Sequence, residues 1–144
     1  MNFSSIIKKL KHQISKNLEE NSKISNAPYA LGACCMDKRY NVISFGYNSY
    51  TKTHPTQKEI ATRYKASYYH KEFLHAEISS LIKCKGKVPY AILVIRQLKN
   101  GTMGNAKPCP ICRLAIKEAG VKEIWFSNQD GNIEFIEIKE GESL

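Results

Sequence analysis

"AILVIRQL", residues 91–98, is a nearly unbroken apolar run. A run of strand length without polar alternation marks an interior strand covered on both faces, so it calls for helices on either side of a sheet. Upstream of it, "HAEISSLIKCKG" predicts a helix from about His75 to Gly86, with Lys83 and Lys85 in its last turn. Further back, Thr56 and Glu59 follow Pro55 in the spacing of a capping box, which predicts another helix start. That segment interleaves bases (Lys58, Arg63, Lys65, Lys71) with aromatics (Tyr64, Tyr68, Tyr69, Phe73). "YALGACCM" and "VISFGYN", joined by "DKRYN", read as a hairpin, and Phe3, Ile6, Ile7, Leu10, Ile14 and Leu18 predict an amphipathic helix over residues 4–20.

Downstream, "KNGTMGNAKP" reads as a loop. A helix over 109–119 stopped by Gly120, a strand "KEIWFS", a turn "NQDG" and a last strand "IEFIEI" follow. Only about four residues separate these last two strands, enough for a hairpin and too few for a helical crossover, so they should be antiparallel. The order α β β α α β α β β, with no repeat and no internal linker, predicts an α/β fold: a mixed five-stranded sheet with helices packed on it. At 144 residues the chain is expected to form one domain, 1–144, able to bury a core without disulfides.

The opening "MNFSSIIKKLKHQI" has no uninterrupted apolar core of a signal peptide, and nowhere do ~18 apolar residues follow one another. A soluble, cytoplasmic protein with no membrane partner is expected. The formal charge is +9, although residues 130–144 carry five acids against one lysine, so the remainder is more basic still. Such a body suits an anionic partner, a nucleotide or nucleic acid, as well as a merely solvated lysine surface.

Five cysteines, at 34, 35, 84, 109 and 112, do not form the even framework of a secreted disulfide scaffold. Cys34 and Cys35 are neighbours in a strand and face opposite sides, which suits packing; Cys84 belongs to core or helix end. In "KPCPIC", residues 107–112, Cys109 and Cys112 share a helix face, with Pro108 just before them. At a helix N-terminus the dipole and unpaired N–H groups favour thiolate. His75 and Glu77 can point at one site if they straddle the first turn of their helix. One imidazole and two thiolates make three ligands for a tetrahedral zinc, leaving the fourth position open as in catalytic sites. A redox pair or half of a closed zinc site is the competing reading, but no second ligand pair stands at suitable spacing. His12, His54 and His70 read as ordinary polar residues.

His75-Ala76-Glu77, then thirty residues, then Pro108-Cys109-Pro110-Ile111-Cys112 resembles the zinc-dependent cytidine deaminase superfamily, whose signature is H-x-E followed by P-C-x-x-C. The element order along nearly the whole chain is similar too. The resemblance implies a three-layer α-β-α fold, Zn2+ held by His75, Cys109 and Cys112, and Glu77 as the proton carrier in hydrolysis of a cytosine amine. It further implies that Asn48 contacts the sugar and the main chain at Ala76 the base. The long interval between Asn48 and His75 is similar to deoxycytidylate deaminases, whereas antiparallel last strands are typical of cytidine deaminases. A (deoxy)cytidine nucleotide or nucleoside is the expected substrate. The alternatives are a polynucleotide deaminase acting on a single-stranded DNA or RNA cytosine or a tRNA adenosine, with the basic tyrosine segment tracking a single strand, and a non-catalytic zinc-binding module. Members of the superfamily commonly assemble as homo-oligomers, which is expected here.

Overall fold

The structure, a computed structural model, describes residues 2–25, 29–49, 54–63, 74–98 and 100–139. The tyrosine-rich stretch 64–73, with His70, Lys65 and Lys71, lies outside them, as do the side chains of Lys58 and Arg63. The elements are α1 (Ser4–Ser25), β1 (Tyr29–Met36), β2 (Val42–Tyr47), α2 (Pro55–Arg63), α3 (Ala76–Ile82), β3 (Ala91–Leu98), β4 (Met103–Gly104), α4 (Pro110–Glu118), β5 (Glu123–Ser127) and β6 (Ile133–Glu137). No helix among the described residues is long and apolar enough to cross a membrane.

All six strands join one sheet in the order β2-β1-β3-β5-β6, with β4 attached to β3. β3 is the interior strand: antiparallel to β1 on one side, parallel to β5 on the other, and fully buried from Ala91 to Ile95. Its alternate side chains feed two cores. Ala91, Leu93 and Ile95 pack under Leu10, Ile14 and Leu18 of α1; Ile92 and Val94 pack on the opposite face with Ala76, Ile116 and Phe126. Period-two alternation likewise sends Cys34 to the α1 side and Cys35 to the other. Cys84 is buried beside Cys35, so both residues and Cys34 serve packing.

The three layers and the antiparallel β5–β6 hairpin, Ser127 opposite Ile133, match expectation. Four details differ. The sheet has a sixth strand, because Met103 and Gly104 pair with Gln97 and Arg96; two residues inside a glycine- and asparagine-rich loop leave no periodic signal. α1 runs on to Ser25 through a polar stretch that carries no apolar stripe to reveal it. α3 ends at Ile82, where the i→i−3 bonds Cys84 N–H to Leu81 O and Lys85 N–H to Ile82 O tighten the chain into turns. Lys83 and Lys85 therefore lie past the helix rather than in its last turn. Finally, α2 begins at Pro55 and not behind a Thr56 cap: the Thr56 N–H donates to His54 Nδ1 at 3.1 Å, so the imidazole takes the first-turn N–H.

Candidate active site

α3 precedes β3 and α4 links β3 to the parallel β5, so both helices run back along the sheet and start near the carboxyl end of β3. The two helices also pack against each other. Their N-termini, 34 residues apart in sequence, thereby meet. His75 is the N-cap of α3 (φ −84°, ψ 154°) and Cys109 that of α4 (φ −66°, ψ 165°). Their carbonyls accept the first helical bonds, from Ser79 and Arg113, while neither side chain caps its own helix. Both side chains are left to face one another. Pro110, in the first turn, has the fixed φ and missing N–H that a helix start accommodates. Cys109 thus stands one residue before the helix that sequence places it in, and Cys112 on the first turn still shares its side.

His75 Nδ1 lies 3.2 Å from Cys112 Sγ and 3.7 Å from Cys109 Sγ. All three donor atoms fall within 4.8 Å of one another. Ligand distances of about 2.0–2.1 Å to nitrogen and about 2.3 Å to sulfur put the N···S edge of a tetrahedron at about 3.6 Å. The spacing and the donor set, one imidazole and two thiols, fit zinc, and three protein ligands are the complement of a catalytic centre.

Between the protein groups themselves, the Cys109 thiol is drawn down to about 4, chiefly by the hydrogen bond from Cys112, with His75 assisting. Burial pushes Cys112 well above the usual thiol range, and the neighbouring Cys109 and Glu77 add to it. Zinc would take both sulfurs as thiolates, so its binding would release protons. Glu77, in the first turn of α3, is only 4% exposed. Burial raises its carboxyl above the ordinary carboxylate range, while His75 opposes the shift.

Asn48 sits where β2 ends. Its Oδ1 accepts the Leu31 N–H at 2.8 Å and its own N–H donates to Leu31 O at 3.3 Å, extending the β1–β2 ladder by one pair. The carbonyl oxygen is committed to β1, so a hydrogen bond from this side chain to a ligand comes from Nδ2. The next residue, Ser49, donates to Leu74 O at 2.8 Å, which ties the end of β2 to the residue before His75. Asn48 thus precedes the residue that ties β2 to the chain before His75, and Ala76 stands between His75 and Glu77.

Two contributors escape the motif. Gly46 lies directly under α3, where an added Cβ would stand 2.3 Å from Ser80 N and 2.6 Å from Ala76 O. Its glycine inside a strand was the available signal, since such residues mark close backbone approach. The other is Gln57 on α2, wholly buried, whose Oε1 accepts the His75 N–H at 3.1 Å. Nothing in its sequence context, a polar residue in a polar helix, distinguishes it.

Residues 6–128 match the model of the family described as the cytidine and deoxycytidylate deaminase zinc-binding region. The chain belongs to that family. The deaminase is accordingly a hydrolase of C–N bonds with a zinc cofactor, and His75, Cys109 and Cys112 are the group positioned to hold the ion. Among solved structures, it is similar to cytidine deaminase from Mycobacterium leprae, at 20% identity over 89% of this chain and 91% of that one, TM-score 0.47. The cytidine deaminase from Mycobacterium tuberculosis shows 18% identity over 84% of this chain and 83% of its own, TM-score 0.46. A search of curated proteins gives no match.

Proposed function

We propose that this deaminase converts the cytosine base of a monomeric (deoxy)cytidine nucleotide or nucleoside, of the dCMP or deoxycytidine type, to uracil with release of ammonia. The observation that carries the reading is Glu77, a buried carboxyl beside the three donors but outside the ligand group itself. A purely structural zinc site has no use for such a group, whereas hydrolysis needs a proton carrier.

When bound, zinc supplies an acidified water, its pKa brought from ~16 towards about 7. Glu77, whose proton affinity burial has raised, takes a proton from water and hands it to the ring nitrogen. A second transfer through the same carboxyl protonates the departing amine. The water oxygen ends on the ring carbon that carried the amine, and ammonia leaves, so atoms and charge balance. The Ala76 N–H, at the first position of α3, has no acceptor within the helix and is available to the base. Asn48 offers Nδ2 to the sugar. Its Oδ1 bond to Leu31 fixes the orientation of the amide.

The antiparallel β5–β6 hairpin supports the nucleoside form of this substrate, because within the superfamily that the chain resembles cytidine deaminases have this arrangement, whereas deoxycytidylate, tRNA-adenosine and polynucleotide cytosine deaminases typically carry a helix and parallel strands there. Lys8, Lys9, Lys11 and Lys16 of α1 lie on the layer opposite the donors, so that part of the positive charge does not line the site.

Ammonia release should be measured from dCMP, deoxycytidine, CMP, cytidine and a cytosine-containing oligonucleotide, with Glu77→Ala as blank. Turnover of a monomer, absent from the blank, is the expected result. Turnover of the oligonucleotide alone transfers the reading to a polynucleotide enzyme, and zinc bound without turnover of any of them leaves a non-catalytic module.

A further inference from the structure

α2 contributes no residue to the sequence motif, yet it packs against α4 and reaches the start of α3 through one side chain. Gln57 and Ile60, one turn apart, are both buried on its inner face, and Ile60 joins Ile78, Ile111 and Cys112 in a cluster with Leu74 and Cys109 at its margin. Gln57 is therefore packed at the junction of the two ligand-bearing helices.

The orientation of its amide is settled by what it faces. The backbone N–H of His75, as an N-cap, has no acceptor inside α3. It requires an oxygen, and Oε1 provides one at 3.1 Å. The opposite edge of the amide, Nε2, is buried without a hydrogen-bond partner. A side chain chosen only for packing has no reason to carry an unpaired donor into an apolar cluster, where it is costly. What the glutamine achieves there is a fixed position for the His75 backbone, and so for the direction of its imidazole. Outer partners of this kind orient the ligands they hold and tune the metal.

We propose that Gln57 is a positioning residue of the metal centre, which pre-sets His75 for zinc through its main chain rather than through the imidazole. The inference rests on the zinc reading of the site; failure of that reading shows separately, as a wild-type protein that retains no zinc.

The test compares Gln57→Met, which keeps length and removes the acceptor, with Gln57→Glu, which keeps an acceptor oxygen. Zinc affinity is read by competition with a chromogenic chelator, independently of turnover. Gln57→Met is expected to bind zinc roughly tenfold or more weakly while its circular dichroism is unchanged, and Gln57→Glu to stay within about threefold of wild type. Equal affinity of Gln57→Met and wild type overturns the proposal, and so does an equal loss in both folded variants. Should Gln57→Met not fold, hydrogen exchange in the wild-type protein decides: the His75 amide is expected to be protected despite its N-cap position, and exchange at the rate of an open amide refutes the role.

Discussion

On the α1 side of the sheet, Leu10, Ile14, Met36, Leu93 and Ile95 are closed to solvent, and the buried Gln97 donates to Ser15 at 2.6 Å while its Oε1 has no partner among the described residues. At the same depth on the other side, α3 and its neighbours bury Glu77, Gln57, Ser79 and Ser80 along with Cys112. The apolar face removes surface from water with few polar groups to satisfy. The polar face desolvates groups that cost free energy unless partnered. Gln57 Oε1 accepts the His75 N–H and Ser80 Oγ donates to Glu77 O, while zinc, when bound, would take the two sulfurs. One face of the sheet thus accounts for stability and the other for chemistry, and substitutions on the two faces should separate the two properties.

The largest effect should come from Glu77→Ala. Turnover is expected to fall by about 10²–10⁴-fold, the usual contribution of a proton carrier, while one zinc per chain remains and Tm does not fall, because a buried carboxyl has been removed. Ammonia release, metal analysis and calorimetry check it; a zinc-loaded, active variant would break the assignment of chemistry to that face. Cys112→Ala should abolish zinc retention and lower Tm together, since the ion links α3 to α4. If metal is lost with Tm unchanged, the polar face is stable without its ion.

The mirror experiment is Ile14→Ala on the α1 face. A loss of about 2–5 kcal/mol is expected in denaturant unfolding, with zinc content and kcat of the remaining folded protein unaltered. Gly46→Ala blurs the division on purpose. Its methyl would press α3 off β2, so stability should drop by about 1–3 kcal/mol and kcat should fall as well, because α3 carries Glu77 and is capped by His75. The smallest change is Asn48→Asp, which keeps an acceptor for the Leu31 N–H but removes the Nδ2 donors. KM should rise with Tm nearly constant; an unchanged KM would assign Asn48 to the β1–β2 ladder alone.

Much of this was readable from the chain because the relevant signals are local. The β3 run announced burial on both faces, and the five-residue gap between "IWFS" and "IEFIEI" dictated an antiparallel hairpin. His75, Glu77, Cys109 and Cys112 could be named because each pair is set by short spacing at a helix start. β4 and the end of α1 were not readable, since neither carries apolar periodicity. The Thr56–Glu59 spacing pointed to the right helix but one residue past its start at Pro55, and the Thr56 N–H is taken by His54 Nδ1.

By itself, then, the sequence singled out which side chains can ligate a metal and how the last two strands pair, properties that depend on residues a few positions apart. Only the tertiary structure decided that His75 and Cys109 meet across 34 residues, that Gly46 lets α3 lie directly on β2, and that Gln57 holds His75 from a separate helix. Those contacts follow from how α4 crosses between two parallel strands and how closely backbones approach, and no local pattern of residues encodes a distance between segments that only packing brings together.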